Sequence, residues 1–271
     1  MPLSYSQLRR YRTCPRQYEF SNVKKIPWGI SEGESFGSSV HNALKKWGEL
    51  EAKGIGLGVG VGKRKKDVRE DQMGLFAGEP HPDSPSELTE DKLIEFWHAS
   101  FIVDTYPTRL EADFARKRGE EMMREYYRWW ASSIHTVVAI EKSFSLEVAG
   151  LPFSGRLDRA EETPEGILII DYKTSHPCTQ EEADADLQLS LYAHAARDMF
   201  EKPCTALLLL FLSEEGIVER RTERSASQLK DAETQIRLIR ERLEAKDFRP
   251  TPSLHACKRC PYRGICDVAA K

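Results

Sequence analysis

The hydrophobic period changes near residue 137, and no other feature constrains the fold of this chain as much. Upstream, apolar residues recur every three to four positions. Glu34 to Glu51 puts Phe36, Val40, Ala43, Leu44 and Trp47 on one side of an amphipathic helix, with His41 on or beside that face. A short helix capped by Ser4 or Ser6 is predicted through Tyr11. Helical patterns return over Glu87–Phe101 and Thr108–Ser132, where Tyr126, Tyr127, Trp129 and Trp130 read as core. Downstream the period is two. Val137–Val148, Leu151–Ala160 and Ile167–Tyr172 predict a three-strand meander, with turns near Pro152 and at Pro164-Glu165-Gly166. A helix over Gln180–Phe200, strands over Thr205–Ser213 and Ile217–Arg221, and a helix over Ser225–Ala245 complete the pattern. This order predicts an α/β fold with a central mixed sheet flanked by helices, preceded by a helical region.

Residues 53–87 break the pattern. Glycine alternates with apolar residues from Gly54 to Gly62, Lys63-Arg64-Lys65-Lys66 follows, and then Pro80, Pro82 and Pro85. The stretch reads as a long flexible insertion. A phosphate loop does not fit, because Leu57 stands where a glycine is needed and Arg64 where serine or threonine is needed. The basic run is a candidate nucleic-acid contact, against the plainer reading of a solvated loop.

Charge narrows the partners. The 271 residues carry 40 basic and 43 acidic side chains, a net charge of −3, which excludes a polybasic, histone-like grip on nucleic acid but leaves room for a local basic groove. No apolar run approaches the roughly 20 residues that span a bilayer. The first twelve residues lack the apolar centre of a secretory signal, so the expectation is a cytoplasmic protein with no membrane partner.

The candidate chemistry sits on the strands. Asp171 and Lys173 bracket Tyr172 at the end of the aliphatic run Ile167–Ile170. Residues two apart on a strand share a face, so the carboxylate and the ammonium project together. Asp158 lies near the end of the preceding strand and meets Asp171 across the hairpin if the register allows. Two carboxylates at that range repel, and a hard divalent cation relieves the repulsion. Magnesium suits such a site, because it is held by one or two carboxylates and keeps waters and room for a substrate phosphate. Lys173 is then placed to stabilise developing charge, or to take a proton from water if its own pKa is depressed. Gln188 and Tyr192, four apart on the next helix, share one face and are candidates for contacts to phosphate or to metal-bound water.

Six cysteines are present, three of them as Cys257-x2-Cys260-x5-Cys266 in a polar, turn-like tail. Thiolates at this spacing converge on one ion or cluster. The fourth ligand is either Cys14, in Thr13-Cys14-Pro15-Arg16, or the local His255, which suits zinc. Cys178 and Cys204 are isolated and read as structural.

These pieces together resemble the RecB branch of the PD-(D/E)XK nucleases, specifically its iron–sulfur members, which include AddB-type nuclease domains and CRISPR-adaptation nucleases. The residues that carry the resemblance are Tyr5-Ser6-Gln7-Leu8 through Cys14-Pro15, Phe36-Gly37-x-x-Val40-His41, Gly155-Arg156-Leu157-Asp158-Arg159, Asp171-Tyr172-Lys173-Thr174, Gln188-Leu189-x-Leu191-Tyr192 and the closing cysteine triplet. They span nearly the whole chain in the family's order. Leu157 replaces the proline that names the superfamily, and 53–87 has no assigned counterpart.

The resemblance implies a restriction-endonuclease-like core and one domain over 1–271. That domain would have a helical insertion at about 48–133, a nuclease core at about 134–245 and an iron–sulfur clip formed by residue 14 and 257–266. It implies that His41, Asp158 and Asp171, with the Tyr172 carbonyl, hold Mg2+ or Mn2+. Lys173 would be catalytic, and Gln188 and Tyr192 would complete the site. Cys14, Cys257, Cys260 and Cys266 would hold a [4Fe–4S] cluster, and Glu141 would be a supporting acid. The activity implied is a DNA exonuclease on single-stranded ends, in repair, recombination or related processing, beside a separate helicase or a recombination or CRISPR-adaptation partner. The competing reading is a non-catalytic subunit that grips DNA or a helicase, and the intact Asp158, Asp171 and Lys173 argue against it.

Overall fold

The computed structural model describes residues 2–54 and 88–270. The phosphate-loop question and the basic run Lys63–Lys66 fall outside the described residues.

Five strands form one sheet in chain order: β1 (Val137–Val148), β2 (Leu151–Thr163), β3 (Gly166–Lys173), β4 (Cys204–Ser213) and β5 (Gly216–Thr222). The β1–β2, β2–β3 and β4–β5 pairs are antiparallel, and β3–β4 is parallel. Tight turns suffice for the antiparallel pairs. Ala149 and Gly150 both take positive φ (52° and 74°) between the paired Val148 and Leu151, which matches the twist of a two-residue hairpin. A parallel pair needs a crossover, and the chain supplies α6 (Gln180–Asp184) and α7 (Leu187–Met199).

The sheet is covered on both faces, which is why β3 reads as a continuous aliphatic run. Leu168, Ile170 and Tyr172 pack with Leu208 and Leu210 against α3 (Glu32–Gly54), α4 (Glu90–His98) and α5 (Arg109–Ala131), through Val40, Trp47, Trp97 and Tyr126. The alternate residues Ile167 and Ile169 pack with Leu207 and Leu209 against Leu189, Tyr192 and Ala196 of α7. The remaining core joins α1 (Tyr5–Thr13) and α8 (Ala226–Glu244) to the β1–β2 hairpin, through Leu8, Tyr11, Phe153, Ile236 and Ile239. Short elements tie down the ends: α2 (Pro15–Tyr18), a π-helical turn at Glu19–Val23, and α9 (Leu254–Lys258).

The predicted mixed α/β architecture is present, and Tyr126 is fully buried as core. One expectation changes. The helix expected over 180–200 is broken at Ala185-Asp186, because Asp186 turns out of helical geometry and its carboxylate accepts the Leu189 N–H at 3.0 Å, capping a new helix.

One buried polar cluster locks α3 to the sheet. The Arg159 guanidinium, fully buried on β2, donates from both Nη atoms to Glu51 at 2.7 and 2.9 Å and from Nε to Glu161 at 2.5 Å. Trp130 Nε1 donates to Glu51 at 3.0 Å, and His135 Nδ1 meets Glu161 at 3.0 Å. Burying this charge is tolerable because each of its three nitrogens finds a carboxylate.

Candidate active site

The site forms where β2 and β3 part. Their pairing runs from Thr163↔Gly166 to Arg159↔Ile170. One residue further the Asp158 carboxylate takes over, and its Oδ2 accepts the Tyr172 N–H at 2.9 Å. A side chain thus replaces a ladder partner, which ties Asp158 to the backbone between Asp171 and Lys173.

Alternation along β3 separates the next residues. Tyr172 faces α3, with its hydroxyl 3.1 Å from that of Tyr126. Asp171 and Lys173 face α7, and Lys173 Nζ lies 2.5 Å from Asp171 Oδ2. Gln188 and Tyr192 are one turn apart on α7 and meet this pair. Lys173 Nζ donates to Gln188 Oε1 at 2.9 Å, Gln188 Nε2 donates to the Tyr192 hydroxyl at 2.7 Å, and that hydroxyl donates to Asp171 Oδ1 at 2.9 Å. The four side chains close a ring in which both carboxylate oxygens of Asp171 and the Lys173 ammonium are held in place.

His41 arrives from α3. Its Nδ1 lies 3.4 Å from Asp158 Oδ1, and its ring meets Tyr172 edge to face at 6.1 Å. α3 passes close to the end of β3 because Gly37 lacks a side chain: a Cβ there would lie 3.3 Å from Thr174 Oγ1.

Glu141 completes the group. It lies on β1 between the pairs Ile140↔Arg159 and Lys142↔Leu157, opposite Asp158. Its φ of 47° is left-handed, a conformation that a side chain bearing Cβ seldom takes and that costs on the order of 1 kcal/mol or more. That kink brings its carboxylate to Asp158 and His41. Among the described residues, the ligand atoms of His41, Glu141 and Asp158 form the one group of three or more that lie within 4.8 Å of one another. Arg156, 60% exposed, pairs with Glu141 from the outer side.

The electrostatics are those of a site with surplus negative charge. Burial pushes the Glu141 carboxyl up, and Asp158 adds to it against the pull of Arg156 and His41. Burial also raises Asp171, with repulsion from Asp158, although Lys173 opposes both. Burial disfavours a charged His41, yet the hydrogen bond to Asp158 and the nearby carboxylates outweigh it and raise its pKa. Lys173 behaves the same way: burial works against the charge, but Asp171, supported by Asp186 and Asp158, holds it as an ammonium. Of the two roles weighed for Lys173, the raised pKa favours charge stabilisation, because its carboxylate neighbours outweigh its burial. The Tyr192 phenol is raised well above its ordinary value by burial and by Asp171, so it acts as a neutral donor.

A divalent cation fits this donor set. One imidazole and two carboxylates already converge, burial and mutual repulsion raise the Glu141 carboxyl, and Asp171 stands on the adjoining strand beside the Tyr172 backbone. Of the residues expected to hold the ion, His41 and Asp158 converge with Glu141, the expected supporting acid. Asp171, the third expected ligand, adjoins this group and bonds Lys173 and Tyr192. Gln188 and Tyr192, expected to face substrate, spend their polar atoms within the ring, where they orient Asp171 and Lys173.

The four remaining candidates come together elsewhere. Cys14, Cys257, Cys260 and Cys266 line one cavity with Phe20, Tyr262 and Pro250. All four are free thiols. His255 is not among the residues that line it, whereas Cys14 stands beside the tail triplet there. No three of these sulfurs lie within 4.8 Å of one another. Cys14 ends α1, and its N–H bonds Arg10 O at 2.9 Å. Cys178 and Cys204 stand apart from the cavity.

Comparison with known proteins bears on both sites. The model of the PD-(D/E)XK nuclease superfamily matches residues 2–267. No curated protein matches. Among solved structures, a protein named SSO0001 is 19% identical with a TM-score of 0.32. The match covers 49% of this chain and 61% of that one, so the chain spans less than two thirds of its length. A protein described as a putative exonuclease, from Eubacterium rectale, is 11% identical with a TM-score of 0.47, over 100% of this chain and 90% of that one. No helix among the described residues is long and apolar enough to cross a membrane. The family match covers both ends of the sheet, the α3 histidine and the cysteine tail, and on it the chain belongs to the PD-(D/E)XK nuclease superfamily.

Proposed function

We propose that this protein is a metal-dependent DNA exonuclease that hydrolyses phosphodiester bonds at single-stranded ends. The observation that carries the reading is the convergence of His41, Glu141 and Asp158 beside the ring of Asp171, Lys173, Gln188 and Tyr192. His41, Glu141, Asp158 and Asp171, with the Tyr172 carbonyl, would hold Mg2+ or Mn2+. Such an ion polarises a phosphoryl oxygen and lowers the pKa of bound water.

The chain's own groups supply the rest. Lys173 presents an ammonium at the mouth of the site, where it offsets charge that grows on the phosphoryl oxygens in the transition state. Gln188 and Tyr192 hold that ammonium and Asp171 in register, so little reorganisation is needed when substrate arrives. Asp158 keeps the Tyr172 backbone in place, and His41 keeps Asp158 in place. In-line attack by water would form the new P–O bond as the old one breaks, the attacking water giving up a proton to solvent and the leaving oxygen taking one from it.

The cysteine cavity supports a [4Fe–4S] cluster of structural role. Four thiols from opposite ends of the chain line this one cavity. A clip between residues 14 and 257–266 would remove much chain entropy from the unfolded state. DNA repair or recombination, with a separate helicase or a CRISPR-adaptation partner, is the setting we propose for the activity.

The test is a gel assay with 5′- and 3′-labelled single strands, duplex, circular DNA and RNA, with and without Mg2+ or Mn2+. Metal-dependent shortening of linear single-stranded DNA, with circles spared, is expected. Cutting of circles would refute the exonuclease assignment, and binding with no cleavage under either metal would refute the enzymatic one.

A further inference from the structure

A pocket of about 290 Å3 opens beside Lys173, and none of His41, Glu141, Asp158 and the tail cysteines lines it. Lys173, Gln188 and Tyr192 form the wall it shares with the site, while Arg9, Arg156, Ser4, Tyr5, Ser6 and Phe144 line the rest. Its volume lies at the lower end of ligand pockets, about 300 Å3, which suits one small ligand and not a duplex.

The pocket is built and held. Leu3 forms a bridge with the start of β2: its N–H donates to Pro152 O at 2.8 Å, and its carbonyl accepts the Ser154 N–H at 2.9 Å. Ser4 then caps α1 in a reciprocal pair with Gln7, which sets Tyr5, Ser6 and Arg9 over the pocket. On the opposite wall Phe144 lies over Gly155, where a Cβ would come within 2.5 Å of its ring. Phe144 also meets Tyr192 edge to face at 6.0 Å, so an apolar face stands beside the polar one.

The charge is one-sided. Arg9, Arg156 and Lys173 line the pocket, and no carboxylate does. Glu141 engages Arg156 through Nε and leaves the rest of that exposed guanidinium toward solvent. Burial, joined by Asp186, raises the Tyr5 hydroxyl against the opposing pull of Lys173, Arg9 and Arg12, so those three cations and one carboxylate lie near it. Guanidinium groups with hydroxyls beside an aromatic face make the usual chemistry for a phosphate joined to a base.

We propose that this pocket holds the terminal nucleotide of the strand to be cut, with its phosphate on Arg9 and Arg156 and its base against Phe144. This rests on the nuclease reading above and sharpens it, since a pocket for one nucleotide measures the strand from its end. Arg9 and Phe144 are then positioning residues for substrate.

Binding is measured by calorimetry on the full chain with divalent metal chelated, so that no turnover enters. The probes are a deoxynucleoside 5′-monophosphate, the 3′-monophosphate, the matching nucleoside and inorganic phosphate. At least one monophosphate is expected to bind tenfold or more tighter than the nucleoside, with the better isomer naming the end that is held. Arg9→Gln is expected to remove that preference, and inorganic phosphate to compete. Equal binding of nucleoside and nucleotide, no binding of either monophosphate at millimolar concentration, or an unchanged preference in Arg9→Gln would overturn the proposal. Failure of the chain to cleave DNA would leave this result untouched, because the readout requires no cleavage.

Discussion

Breaking the Arg159–Glu51 pair has a consequence that can be worked from the distances. Arg159 is fully buried and Glu51 nearly so, with two hydrogen bonds of 2.7 and 2.9 Å between them. Glu51→Leu removes the carboxylate and leaves the guanidinium with Glu161 alone, a partner already shared with His135. Removing one member of a buried ion pair costs about 3–5 kcal/mol. At about 2–4 °C per kcal/mol for a chain near this size, the melting temperature should fall by about 6–20 °C. Replacing both partners by apolar groups removes the orphan charge, so Glu51→Leu with Arg159→Met should be far less damaging than the two single changes summed. A coupling of about 2–3 kcal/mol is expected from the four-protein cycle, read by denaturant unfolding at neutral pH. A cost below about 1 kcal/mol for Glu51→Leu, or strict additivity in the double variant, would refute the reasoning. The pair also matters to the site. Glu51 and His41 share α3, ten residues and about 15 Å apart, so the lock at one end of the helix steadies the imidazole near the other.

Three further outcomes are expected. Tyr192→Phe removes the donor to Asp171 Oδ1; a hydrogen bond to a charged group contributes about 1.5–3 kcal/mol, so turnover should fall about 10- to 100-fold with the circular dichroism spectrum unchanged, and unaltered turnover would remove Tyr192 from the site. Glu161 feels burial, which raises its pKa, but His135 and Arg159 outweigh it and the folded value lies below the ordinary 4.5. A depressed folded pKa gives stability that is present above the unfolded value and is lost as pH falls through the folded one; the gap in melting temperature between wild type and Glu161→Gln should therefore hold near neutrality and close below pH 4.5, and a gap that widens in acid would contradict the sign. Cys14→Ser should lower the melting temperature and the iron and acid-labile sulfide content of anaerobically purified protein together, whereas wild-type protein with one zinc and no iron would exclude a cluster.

Much of the architecture was legible because burial writes itself into local pattern. The run Ile167–Ile170 has aliphatics at every position since both faces of β3 are covered, and α3 carries its apolar stripe where it meets the sheet. The break at Asp186 was hidden because the apolar residues Leu187, Leu189 and Leu191 continue the pattern across it, while the cap depends on one side chain's geometry. The proximity of Asp171 to Lys173 followed from strand periodicity. Glu141 was expected only as a supporting acid through the resemblance, since the left-handed φ that brings it to Asp158 and His41 leaves no mark in composition. Gln188 and Tyr192 were correctly placed on one face of a helix, but only the packing of α7 on β3 shows that the face meets Asp171 and Lys173. The partnership of Arg159 with Glu51 joins residues 108 apart and has no local signature.

The central claim is that four acidic or imidazole side chains grip one divalent ion and that the neighbouring ammonium works on the phosphate beside it. The most direct measurement pairs manganese binding, by electron paramagnetic resonance, with cleavage of a labelled single strand by the same protein samples. The account predicts that Asp158→Ala loses both the bound metal and the cleavage, while Lys173→Ala keeps the metal and loses the cleavage, each with a native melting profile. Cleavage at the wild-type rate by either variant would contradict it.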